Sequence, residues 1–158
     1  MLNQQNLFDQ LQRKEFMQRL KDGDKGNCPC CQRYAQVYKR RIYDSIARQL
    51  IRLYTLGGDK DYVNAVHLIL KGSHSTQDFQ KAKYFDLIER RPLSEDDPGK
   101  TSGWWRLTER GVQFVQGKLA IPHIALVFDD NVLGFEGNPV TIKDCLDEHF
   151  SYERLMSA

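Results

Sequence analysis

Between Tyr38 and Leu56 the chain carries its clearest periodic signal. Tyr38, Ile42, Ile46, Leu50 and Leu53 recur at intervals of three and four, and Tyr43, Ala47 and Tyr54 widen the stripe. That rhythm predicts an amphipathic helix over 38–56, stopped by Gly57-Gly58. Upstream, Leu7, Phe8 and Leu11 form one apolar patch and Phe16, Met17 and Leu20 another. On a helix the two patches point in different directions, so residues 1–22 read as a helix touching two surfaces, or as a mobile arm. Asp22 to Asn27 is a turn cluster.

Beyond the long helix the pattern shortens. Tyr62 to Leu70 reads as a strand, with a short helix as the alternative. Ser75-Thr76-Gln77-Asp78 has the form of a capping box and predicts a helix to about Asp86. Wheel geometry sets Phe79, Ala82 and Phe85 on one side of it and Gln77, Gln80, Lys81 and Tyr84 on the other. Leu87 to Arg91 and Trp104 to Leu107 read as a hairpin around a polar tip, with one tryptophan inward and one outward. Thr108 is a plain N-cap for a helix through Gly117. Ala125 to Phe128 and Val132 to Glu136 read as a second hairpin across Asp129-Asp130-Asn131. Thr141 to Asp144 is another capping box. It predicts an acidic C-terminal helix with Ile142, Cys145, Leu146, His149 and Phe150 inward.

Composition narrows the class. With 158 residues, 41% of them hydrophobic, the chain can bury a core on the scale of roughly 70% of its unfolded surface. No apolar run approaches the roughly 18 residues of a membrane span. Met1 to Leu20 lacks a leader-type apolar stretch, so a cytoplasmic protein with no membrane contact is expected. The net charge of +2 hides an asymmetry. Residues 1–60 carry 12 basic and 6 acidic side chains, whereas residues 121–158 carry 2 and 7. Arg41, Arg48 and Arg52 fall on the polar side of the predicted long helix, either as a solvated face or as a phosphate-contacting one.

The chemistry-bearing motifs are few. Cys28-Pro29-Cys30-Cys31 contains a Cys-x-x-Cys knuckle, with Cys28, Cys30 and Cys31 as candidate zinc ligands. Completion would fall to His67, His74, His123, Cys145, His149 or a second subunit; free thiols and a redox role are the alternatives. There is no Gly-rich phosphate loop, nucleophile elbow or His-Glu-x-x-His, so an enzyme is not expected.

The element order from 38 to 115 is that of a winged helix-turn-helix with one turn element reduced. Leu87-Ile88-Glu89-Arg90, followed after a polar loop by Leu107-Thr108-Glu109-Arg110-Gly111, resembles MarR-like winged-helix regulators. In that family a recognition helix runs into Leu-Ile-x-Arg, then the wing, then Leu-Thr-x-x-Gly opening a helix. A glycine commonly precedes the Leu-Ile pair there; here Asp86 holds that place. The cysteine-rich segment ahead of a basic helix also resembles small phage proteins. The resemblance implies an α+β fold in three parts. These are an N-terminal arm with the knuckle (1–36), a winged-helix core (37–120), and a C-terminal hairpin and helix (121–158). It implies binding of double-stranded DNA in a regulatory role. Gln77, Gln80, Lys81 and Tyr84 would face the major groove. Arg90, Arg91, Lys100 and Arg106 of the wing would reach backbone or minor groove, with Arg41, Arg48 and Arg52 in support. A homodimer through residues 1–20 and 142–156 is the implied assembly. The competing expectation is a winged helix used as a scaffold for a host or partner protein through Trp104 or Trp105 and the acidic C-terminal region.

Overall fold

Helices alternate with short strands in an α+β fold, and the computed structural model describes residues 4–70, 78–92, 94–96 and 103–158. The chain divides into two compact units, Met1–Arg40 with Ala125–Phe135, and Arg41–Ile124 with Glu136–Ala158. The C-terminal hairpin contributes residues to both units.

In the first unit, α1 (Gln4–Lys21) buries Phe16 and Leu20 against Ala35. Met17, Cys28, Val37 and Phe128 pack around that cluster. The other apolar patch does not meet it: Leu7, Phe8 and Leu11 are all more than half exposed. Strands β1 (Lys25–Asn27) and β2 (Tyr34–Gln36) then pair antiparallel, with Gly26 opposite Ala35. This hairpin was not expected. It places the cysteine knuckle in its loop.

The predicted helix over 38–56 is corrected at its start. Tyr38–Arg41 forms a strand, β3, and the helix α2 runs Asp44–Thr55. Electrostatics favours that boundary. Arg40 and Arg41 would have placed cations at the positive end of a helix dipole, whereas Asp44 places an acid in its first turn. Within the second unit α2 buries Ile46, Ala47, Leu50, Ile51 and Leu53. It also buries Gln49, whose Nε2 donates to the Leu68 carbonyl at 3.2 Å. The helix ends as expected, with the Gly58 N–H donating to Leu53 O at 2.8 Å.

The strand predicted over 62–70 shrinks to β4 (Val63–Asn64), followed by a 3-10 turn at Ala65–Leu68. The Asn64 side chain accepts from the Val66 N–H at 3.0 Å and draws the backbone out of the strand. A longer 3-10 helix covers Asp78–Phe85. The capping box proposed ahead of it, with Gln77 and His74, lies outside the described residues. Strands β5 (Ile88–Arg90) and β6 (Trp104–Leu107) form the expected hairpin, with Ile88 opposite Leu107 and Arg90 opposite Trp105. β4 joins the far side of β6, giving the order β4-β6-β5. Helix α3 (Glu109–Val115) follows, N-capped by Thr108, whose Oγ1 accepts from Gly111 N–H at 2.9 Å.

The second hairpin is longer than its apolar pattern predicted: β7 is Ile121–Phe128 and β8 is Asn131–Val140. The sheet order is β3-β7-β8. Asp129 and Asp130, both at positive φ (48° and 63°), make the two-residue turn between β7 and β8. The capping box at Thr141 and Asp144 forms. The single acidic helix expected beyond it does not. Instead α4 (Ile142–Cys145) stops after one turn and α5 (Tyr152–Met156) starts anew at the Ser151 cap. The Asp147 N–H leaves the helix to donate to Asp44 Oδ1 at 2.9 Å, and of the five predicted inward residues only Ile142 is fully buried.

Candidate nucleic-acid interface

The helix at 78–85 was expected to be α-helical, with 100° between residues. As a 3-10 helix it has three residues per turn, so every third residue shares a face. Phe79, Ala82 and Phe85 sit at that spacing and all three are buried. Phe79 meets Trp105 edge to face, with ring centroids 6.2 Å apart. The same spacing re-sorts the polar side. Lys81 and Tyr84 now align with Asp78, and Gln80 aligns with Lys83, which the α-helical reading had left out. The Lys81 ammonium pairs with Asp78 at 2.7 Å.

The end of this helix is fixed from across the sheet. Asp86 adopts φ 57°, the left-handed conformation open to glycine and, among other residues, most readily to Asn and Asp. Its carbonyl accepts from Thr108 Oγ1 at 2.6 Å, and Thr108 N–H donates to Leu87 O at 3.1 Å. Arg110 Nε donates to Phe85 O at 3.1 Å. Gly111 comes closest of all, because a β-carbon there would lie 1.9 Å from Leu87 O. The Leu-Ile and Leu-Thr-x-x-Gly segments thus hold each other.

On the sheet β4-β6-β5, Trp105 and Leu107 face inward, and Trp104 and Arg106 face outward. Two cross-strand rows result on the outer face. In one, the Arg106 guanidinium lies 4.8 Å from the centroid of Tyr62 and hydrogen-bonds Glu89, which raises its pKa further. In the other, Trp104 stands opposite Asn64, and the Arg91 guanidinium lies 5.7 Å from its ring centroid. Arg90 and Arg91 are exposed at the end of β5, Arg90 within 5.1 Å of the Trp105 centroid. Lys100 lies outside the described residues.

The proposed arginine stripe is not brought together on one helix. Arg41 belongs to β3. Arg48 pairs with Asp44 at 2.9 Å and stacks 4.1 Å from the Phe150 centroid. Arg52 donates through Nε to the His67 carbonyl.

In the other unit, the β1–β2 loop holds three of the four cysteines. Cys28 N–H donates to Arg33 O and Gln32 N–H to Cys28 O, both at 2.8 Å. Gln32 takes φ 63° to close the turn. The backbone N–H groups of Cys30 and Cys31 and the Cys31 thiol point at the Cys28 sulfur, holding its pKa below the ordinary thiol value. Cys30 is turned elsewhere, its thiol reaching Asp9 O at 3.6 Å. The Arg13 guanidinium stands beside it, its own pKa raised by Cys30 first and by Cys28 and Cys31 after. Cys28, Cys31 and Arg13 open onto a hollow of about 540 Å³. Among the described residues no three His, Cys, Asp or Glu side chains gather into a group able to hold a metal ion.

No protein-family model, no curated protein and no solved structure matches this chain. Among the described residues no helix is long and apolar enough to cross a membrane.

Proposed function

We propose that this chain is a winged-helix protein that binds duplex DNA in a regulatory role. The observation that carries this reading is the sheet order β4-β6-β5, set between α2, the 3-10 helix at 78–85 and α3. Helix, short strand, short helices, hairpin and helix follow one another as in a winged helix-turn-helix. The locked contact of Asp86 and Leu87 with Thr108 and Gly111 supports it, because those residues are the two halves of the resembling motif. In this reading Gln80 and Lys83, with Lys81 and Tyr84, approach base edges in the major groove. Arg90 and Arg91 contact phosphates and set the register. Arg48 serves internal structure, its side chain mostly buried against Asp44 and Phe150.

A labelled random-sequence duplex, followed by fluorescence anisotropy, tests the reading. Binding is expected, with log K falling linearly against log salt concentration. Absence of any binding at low salt removes it. A second reading draws on the half-exposed Trp104 beside Arg91: the outer sheet face docks a protein partner. Partner capture that survives nuclease and high salt, in a protein that ignores DNA, selects it.

A further inference from the structure

We infer that the hollow walled by Cys28 and Cys31 is a thiol–disulfide exchange site. Its substrate is a small disulfide bearing carboxylates, which the two cysteines reduce while becoming joined to each other. This inference does not rest on the DNA-binding reading.

Backbone geometry selects the pair. The Gln32 N–H donates to Cys28 O at 2.8 Å and closes one α-type turn over 28–32. Pro29, second in that turn, fixes its own φ in the range the turn needs. On a turn of this kind the α-carbons of residues three apart stand about 5 Å from each other. A disulfide spans α-carbons about 4.4–6.8 Å apart, so Cys28 and Cys31 can join without opening the hairpin. Cys30 lies about 160° round the turn from Cys28. Its thiol reaches the Asp9 carbonyl of α1 at 3.6 Å instead. Cys28 and Cys31 both line the hollow, and Cys30 does not.

The hollow suits such a substrate. Its volume of about 540 Å³ falls within the roughly 300–1,000 Å³ of small-molecule sites. Phe16, Ala35 and Phe128 give it an apolar wall. Arg13 and Arg33 bring two guanidinium groups to it, against the one carboxylate of Asp129, so a negatively charged substrate is favoured over a neutral one. Backbone N–H groups of Cys30 and Cys31 hold the Cys28 thiol below its ordinary pKa, which makes Cys28 the first nucleophile. Its thiolate attacks one sulfur of the substrate. The substrate S–S bond breaks, a mixed disulfide forms on Cys28, and the first half leaves as a thiolate that takes up the proton Cys28 gave to solvent. The Cys31 thiolate then attacks the Cys28 sulfur. The Cys28–Cys31 disulfide closes, and the second half leaves carrying the proton from Cys31. The substrate gains two electrons and the cysteine pair loses two, so a single turnover needs no other reactant.

The full chain, reduced and freed of reductant and metal under anaerobic conditions, is mixed with oxidised glutathione or with the neutral hydroxyethyl disulfide. Each rate is divided by that of mercaptoethanol with the same disulfide, which removes the intrinsic reactivity of the probe. In the wild type, peptide mass mapping should place the new disulfide between Cys28 and Cys31, with both halves of the probe released as thiols. The normalised rate should favour glutathione by roughly tenfold at low salt, and the preference should shrink as salt rises. Arg13→Gln and Arg33→Gln should each reduce the preference while leaving the rate with the neutral probe unchanged. Cys31→Ser should stop at the mixed disulfide on Cys28, an outcome that a misfolded variant would not give. Cys30→Ser should complete both steps. The inference is overturned if the wild type releases no thiol, if the disulfide forms through Cys30 or Cys145, or if the two probes react at equal normalised rates.

Discussion

Gly111 and Leu87 touch backbone to backbone: a β-carbon on Gly111 would lie 1.9 Å from the Leu87 carbonyl oxygen and 2.9 Å from its carbonyl carbon. Neither atom belongs to a flexible side chain, so relief requires α3 and the end of the 3-10 helix to move apart. That motion would also stretch the Thr108 hydrogen bonds to Asp86 and Leu87. Alanine is a better helix former than glycine by roughly 1 kcal/mol. Overpacking of this kind costs on the order of 1–3 kcal/mol and here acts on backbone, so it outweighs the helical gain. Gly111→Ala is expected to lose about 2 kcal/mol in urea unfolding. Gly134→Ala, whose new carbon meets nothing within 4 Å, should stay within about 0.5 kcal/mol of the wild type.

Asp86, between the 3-10 helix and β5, tests the same junction from its other side. Its φ of 57° is the conformation a glycine would supply without strain. Asp86→Gly is expected to hold stability within about 1 kcal/mol, because relief of strain offsets the added freedom of the unfolded chain. Asp86→Val should cost about 2 kcal/mol, since a β-branched residue resists left-handed backbone. Equal unfolding midpoints for the two variants would contradict this account.

What the sequence disclosed depended on whether a signal was local. Phe79, Ala82 and Phe85 were assigned to one buried face, and they are buried. Their spacing of three also fits a 3-10 helix, but a short segment gives too few turns to separate 100° from 120° per residue. The error moved Lys83 off the candidate face and set Gln80 beside Lys81. Caps read well: Thr108 and Thr141 bond where expected, because their partners lie three residues away. The start of α2 was misread because Tyr38, Ile42 and Ile46 satisfy a helical period while the backbone of 38–41 serves a sheet. The β1–β2 hairpin was missed because three-residue strands carry almost no alternation. Arg48 and Arg52 could not be sorted from the sequence. Phe150 and the His67 carbonyl, their partners in space, lie far along the chain.

The exposed and the engaged arginines should behave differently in DNA binding. Arg90→Ala and Arg91→Ala each remove a phosphate contact in the proposed reading. Affinity is expected to fall similarly for all sequences, and the salt slope to drop by about one for each. Arg106→Ala frees Glu89 as well as removing a cation, so part of its effect is structural. Half-exposed pairs of this sort contribute about 0–1 kcal/mol, and a small loss of stability should accompany it. Arg48→Ala is expected to lower stability, through loss of the Asp44 pair and the Phe150 stack, while leaving the salt slope unchanged. Anisotropy titrations at several salt concentrations, run beside urea unfolding, separate the two groups. A salt slope altered by Arg48→Ala and untouched by Arg91→Ala would reverse the assignment.

The two kinds of cysteine should separate by reactivity and by pH. Cys28 is held below the ordinary thiol value by backbone N–H donors, whereas burial and then the nearby Asp144 carboxylate push Cys145 up to about 11. The thiolate is the reactive form. In reduced, chelator-treated protein at neutral pH, iodoacetamide should therefore modify Cys28 well before Cys145, as peptide mass mapping would show. The raised value of Cys145 also ties it to stability. Its thiol ionises in the unfolded chain near the ordinary value of 9.0 but stays neutral when folded until about 11. Its contribution is complete below pH 9 and is lost progressively as pH rises from about 9 to 11, because ionisation favours the unfolded chain. Unfolding free energies measured across that window should fall with pH in the wild type and fall less steeply in Cys145→Ala. Compared slope against slope, the result is independent of the packing the variant loses. Equal slopes in the two proteins, or alkylation of Cys145 as fast as Cys28, would show that the thiol is not shielded as the fold places it.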